Sequence, residues 1–255
     1  MAVRVAIGAS IINHLSGFLS NNGVENTISI PGLSFGSKKM KNILHDFRQF
    51  CRGKIAIKVA IFPLGNSMFP GIPKGPCYLK PRLRPLTALQ MKKKTLVLLE
   101  ELRELAPKGT KLSFIILPSL GRRPRPCRKA CKKCICYGKF AKKCVKFERH
   151  MSKVKDENLT VVSVTEFGDY IIREKRTNNI SIKRLKNIRH KMRVNRISEF
   201  SARFKLYSCI SGLLLSCHSK THCKKDPNKR SDRVHLCCNH ASHTLAGFIG
   251  QCLAQ

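Results

Sequence analysis

The chain has 255 residues, 50 Lys+Arg against 14 Asp+Glu, a formal net charge of +36, 13 cysteines and 42% apolar residues. The apolar content excludes a wholly disordered basic tail, and the length suffices to bury a core. No run of about 18 apolar residues occurs, which argues against a membrane-spanning helix, while so large an excess of cations repels itself unless an anionic partner is present.

The first residues, MAVRVAIGASIINHL, hold one Arg and a short apolar run broken by Asn13 and His14. They make a poor secretory signal and fit an organellar presequence only slightly better. A short strand is expected at Thr27–Ile30. From Ser37 to Gly53, Met40, Ile43, Leu44, Phe47 and Phe50 fall on one helical face, with Ser37 as N-cap and Gly53 just past the C-terminus. In KIAIKVAIF, which follows, Ile55, Ile57, Val59 and Ile61 alternate with Lys54, Ala56, Lys58 and Ala60, predicting a strand with one apolar and one small or basic face.

The proline-rich stretch 63–85 holds Lys74, Lys80, Arg82 and Arg84 and reads as a surface loop. A second helix is expected from Pro85 and Thr87 to Ala106, with Leu89, Leu96, Leu99, Leu102 and Leu105 as its stripe. Pro107 stops it, because proline disfavours helical geometry in the residue before it. Glu100, Glu101 and Glu104 read as its solvated face or as partners of Lys93, Arg103 and Lys108. Gly109 and the strand TKLSFIIL (110–117) complete a β-α-β-α-β order, which suggests a small parallel or mixed sheet.

Composition shifts near Gly121: residues 1–120 carry a net +13 and residues 121–255 a net +23, with 11 of the 13 cysteines. In 122–149, twelve of 28 positions are Lys or Arg, interleaved with Tyr137, Phe140 and Phe147. Cations neutralise phosphates and rings stack on exposed bases, so this is a candidate single-strand surface. Arg122, Arg123, Arg125, Arg128, Lys129, Lys132 and Lys133 are its phosphate-contact candidates. Cys131 and Cys134 form a close ligand pair, and Cys144 with His150 completes a candidate tetrahedral zinc set; disulfides or free thiols are the alternatives.

LTVVSV (159–164) and DYIIREKR (169–176), separated by Thr165–Gly168, predict a β-hairpin. In 180–197, Ile182, Leu185, Ile188 and Met192 recur at helical spacing opposite Lys183, Arg184, Lys186, Arg189, Lys191, Arg193 and Arg196, with no acid before Glu199. A helix so charged needs a neutralising partner, and phosphate contact is preferred because large aromatic membrane anchors are missing from its apolar face. The tail beyond Cys209 reads as irregular and rich in Cys and His, with a second candidate zinc set of Cys217, His222, Cys237 and His240.

No GxGxxG, Walker-type, HExxH or Gly-x-Ser-x-Gly pattern occurs. The expected class is α+β: an N-terminal segment (1–26), a small α/β part (27–120), a basic Cys-rich segment (121–157), hairpin and basic helix (158–200) and a Cys/His-rich tail (201–255). The expected function is non-enzymatic nucleic-acid binding, RNA favoured over DNA, with zinc as a stabilising ion, in the nucleus or on cytoplasmic ribosomes. The alternatives are a secreted disulfide-containing ligand of acidic glycans, contact with an anionic membrane surface, and a chance reading frame without selected function.

Overall fold

The computed structural model describes residues 2–9, 11–30, 38–62, 87–116, 134–174, 180–215 and 239–255. In chain order the elements are β1 (Val3–Ala9), α1 (Ile11–Ser20), β2 (Asn26–Ile30), α2 (Lys38–Cys51), β3 (Ile57–Phe62), α3 (Ala88–Leu105), β4 (Lys111–Ile115), α4 (Cys134–Met151), β5 (Leu159–Val162), α5 (Val164–Glu174), α6 (Ile180–Arg193), α7 (Glu199–Leu215) and α8 (Asn239–Ala254).

The five strands form one parallel sheet in the order β2-β1-β3-β4-β5. The first connection moves one way from β1 and the later ones move the other way. Right-handed crossovers therefore put α1 on one face and α2, α3 and α4 on the other. Side chains confirm the two layers. The Ser113 hydroxyl donates to the Cys252 carbonyl of α8 at 3.4 Å, whereas Phe114, one residue on, meets Phe147 of α4 edge to face at 6.2 Å. With both faces covered, runs of consecutive strand residues are buried: Val5–Ile7, Val59–Phe62 and Leu112–Ile115.

The expectation of mixed helix and strand holds, and strand β2, helices α2 and α3 and strands β3 and β4 form where expected. Gly53 (φ 71°) and Gly109 (φ 80°) take the left-handed backbone required at their turns. Thr87 caps α3 in a capping box with Gln90. Five corrections follow. The segment 1–26 is no appendage: β1 is an inner strand of the sheet, and Gly8 lies so close to Phe62 that a Cβ there would sit 2.7 Å from the ring. Ile55 precedes β3 and is 92% exposed, because the strand begins at Ile57. Leu89 is 64% exposed, since the buried stripe of α3 runs through Met91, Leu98, Leu99 and Leu102 with Thr95 among them.

The predicted hairpin is the fourth correction. Leu159–Val162 is a strand, but it pairs in parallel with β4, and residues 164–174 are helix α5. Val164, Phe167, Gly168 and Ile171 are its buried residues, a helical period that the β-branched residues obscured. Its start is a reciprocal cap: the Ser163 N–H donates to the Glu166 carboxylate at 2.5 Å, and the Glu166 N–H donates to the Ser163 hydroxyl at 3.4 Å. The tail is corrected likewise, because it ends in α8, which packs along the sheet and α1.

We predict that Phe114→Ala lowers unfolding free energy by about 3–5 kcal/mol in urea titration, while Leu89→Ala stays within about 0.5 kcal/mol of the parent.

Candidate nucleic-acid interface

Helix α6 forms as its pattern predicts. Ile182, Leu185 and Ile188 are buried against α5 and α7, and Met192 is half-buried. Lys183, Arg184, Lys186, His190, Lys191 and Arg193 are exposed. The helix ends in a Schellman turn: Asn195 takes φ 52°, its N–H donates to the Met192 carbonyl at 3.2 Å, and the Arg196 N–H donates to the Lys191 carbonyl at 2.9 Å. That turn sends the chain into α7 and leaves Arg196 exposed.

One cation of the expected face is committed elsewhere. Arg189 grips Asp169 of α5 with two nitrogens, Nε at 2.6 Å from Oδ1 and Nη2 on Oδ2, and its Nη1 lies 3.3 Å from Met192 Sδ. Its side chain is only 14% exposed. A forked, half-buried pair holds α6 to α5, so Arg189 is a structural residue and not a free phosphate contact. Sequence spacing alone could not show this, because Asp169 lies 20 residues away.

Arg122, Arg123, Arg125, Arg128, Lys129, Lys132 and Lys133 lie outside the described residues, as do the N-cap Ser37 and the cations of loop 63–85. Of the candidate metal ligands, so do Cys131, Cys217, His222 and Cys237. Cys134 and His240 stand in the first turns of α4 and α8. Cys144 belongs to the hydrophobic core, and His150, six residues further along the same helix, projects about 120° away around its axis. These two do not form the expected ligand pair. Among the described residues no three His, Cys, Asp or Glu side chains converge as for a metal.

The core thiols are chemically quiet. Burial, with Glu148 adding to it, pushes the Cys144 thiol up to about 12; burial, with Glu166 adding to it, pushes Cys252 up to about 12. Burial raises Cys51 to about 11 against the opposing pull of Lys54. A thiolate is both the nucleophile and the metal ligand, so these cysteines are packing residues.

Beside Cys144 sits a group that charge counting missed. Glu148 is fully buried, and it accepts from Arg203 and, at 2.6 Å, from the Tyr207 hydroxyl. Arg203 also holds Glu199 Oε1 through Nε at 3.0 Å and Nη2 at 2.7 Å. Burial raises the Glu148 carboxyl, and Arg203, Tyr207 and the Val164 N–H oppose that rise. The arrangement ties α4 to α7 and to the start of α5.

A scan of the chain against protein-family models finds no match, and a search of the curated proteins likewise returns none. Among the described residues no helix is long and apolar enough to cross a membrane.

Native protein is expected to leave Cys144 and Cys252 unmodified by an aromatic disulfide reagent at pH 8, with both reacting in denaturant. The folded thiols keep their protons where unfolded thiols lose theirs, near 9. Their contribution to stability is therefore full below pH 9 and declines as pH rises toward about 12, which alkaline urea titration would read.

Proposed function

We propose that the chain is a non-enzymatic nucleic-acid-binding protein, RNA favoured over DNA, that meets phosphates through the outer face of α6. The supporting observation is the row of exposed cations Lys183, Arg184, Lys186, Lys191, Arg193 and Arg196, none of which has an ion-pair partner among the described residues. The preference for single-stranded RNA comes from Tyr137 and Phe140 interleaved with cations in 122–149. Zinc enters this reading only through ligands other than Cys144. Fluorescence anisotropy with a labelled single-stranded RNA tests it. At about 0.7 per neutralised phosphate, six engaged cations give a log–log salt slope of about −4. A flat salt response removes the reading.

A second reading, acyl hydrolysis at the carboxyl edge of the sheet, is favoured by one observation: α1 and α8 lie side by side and run the same way. Phe18 and His243 meet with ring centroids 4.5 Å apart, and further along α8 a Cβ on Gly250 would lie 2.8 Å from the Cβ of Asn22, just past the end of α1. Both helices therefore start at the edge where β1 and β3 end. In sheets of this strand order, ligands bind at that edge, at the point where connections leave on opposite faces. The sequence adjoining these ends carries Gly8-Ala9-Ser10 before α1, Gly65-Asn66 after β3 and Asp232-Arg233-Val234-His235 before α8. These are the residue types of a nucleophile, an oxyanion donor and an orienting acid with its base, in the chain order Ser, Asp, His. Ser10, Asn66, Asp232 and His235 lie outside the described residues. This reading expects an alkyl fluorophosphonate to label the parent protein and not Ser10→Ala. Failure to label the parent removes it.

A further inference from the structure

We infer that the cleft between α6 and α7 is a seat for a single phosphate group, and that it anchors the polynucleotide backbone on the α6 face. This inference rests on the phosphate-contact reading of α6 and assigns that contact a place. The cleft, of about 180 Å³, is lined by Arg184, Asn187, Ile188 and Lys191 of α6, Ile197 of the following turn and Lys205 of α7. Arg184, Asn187, Ile188 and Lys191 share one side of α6, because they recur at three, one and three residues. The Schellman turn at Asn195 brings α7 back alongside, which adds Lys205 from the facing helix.

Contrast with the rest of the molecule carries the argument. Three other arginines packed between described elements each meet an acid: Arg103 with Asp156, Arg189 with Asp169, Arg203 with Glu148 and Glu199. In this cleft three cationic residues from two helices, Arg184, Lys191 and Lys205, line a common space, and no carboxylate among the described residues pairs with any of them. Three like charges so arranged repel one another, and a bound tetrahedral anion reverses the sign of that interaction. The donor set suits phosphate: a planar guanidinium fork, two ammonium groups and the neutral amide of Asn187. The half-open shape admits a phosphodiester within a strand as well as the free ion.

Two double variants with the same loss of charge test the inference in the full chain. Arg184→Gln with Lys205→Gln empties the cleft of two cations; Lys186→Gln with Arg193→Gln removes two exposed cations outside it. All four residues are exposed, and circular dichroism checks that the fold is kept. Binding of a labelled single-stranded RNA is measured across a salt series, alongside calorimetric titration with inorganic phosphate. The cleft variant is expected to bind RNA about tenfold more weakly, with a salt slope shallower by about 0.7–1.4, and the outer variant less than about threefold more weakly. Equal weakening in the two variants, or greater weakening in the outer one, overturns the inference. If the parent binds no RNA, the α6 reading fails by itself and calorimetry decides the cleft. Phosphate binding by the parent and the outer variant but not by the cleft variant upholds an anion seat filled by the free ion; binding that is absent or unchanged throughout overturns it.

Discussion

The constraint on which this molecule depends is how few carboxylates it has to set against its cations. Fourteen acids face 50 Lys and Arg, and four of those acids hold arginines packed between elements. Asp156 holds Arg103, Asp169 holds Arg189, and Glu148 with Glu199 holds Arg203. Each contact joins segments distant in sequence or fixes a helix against its neighbour. The Glu148 cluster is the deepest, and it survives burial because Arg203, Tyr207 and a backbone N–H together satisfy the carboxylate. Among the described residues, most of the remaining cations have no ion-pair partner.

The sheet sets where those cations stand. Five parallel strands covered on both faces make a rigid platform. Helix α7 contacts α4, α5, α6 and α8 and so links the two layers beyond β5. With α6 clamped by its apolar stripe and by Arg189, its outer face is held outward and its inner edge lies beside Lys205. Two chemically different regions result: a cationic face at α6, and the carboxyl edge of the sheet where α1 and α8 both begin.

Much of this architecture was legible in the sequence wherever one periodicity dominated. The α6 stripe of Ile182, Leu185 and Ile188, the opening of α3 at Thr87 and Gly53 just past α2 were each readable from local pattern. Reading failed where two signals overlapped. VTEFGDYIIRE is rich in β-branched and aromatic residues, yet Ser163 and Glu166 cap it as a helix. Strand β3 alternates in composition although both its faces are covered, so alternation gave no measure of burial. The opening residues read only as a possible targeting segment, and a poor one, because a short apolar run at the start of a chain does not by itself announce an inner strand. The role of Arg189 and the membership of Lys205 in the cleft depend on contacts between separate helices, which spacing along one helix does not encode. Cys144 was misread because a cysteine among cations resembles a ligand until its burial is known.

The central claim is that this fold tolerates its charge by engaging an anion at defined cations, beyond what general screening supplies. The direct measurement is the urea unfolding midpoint with sodium tripolyphosphate against potassium chloride at equal ionic strength. The account predicts a higher midpoint with tripolyphosphate, saturating as its concentration rises, because a ligand bound to the folded state stabilises it by mass action. Coincident midpoints for the two salts at every matched ionic strength would contradict it.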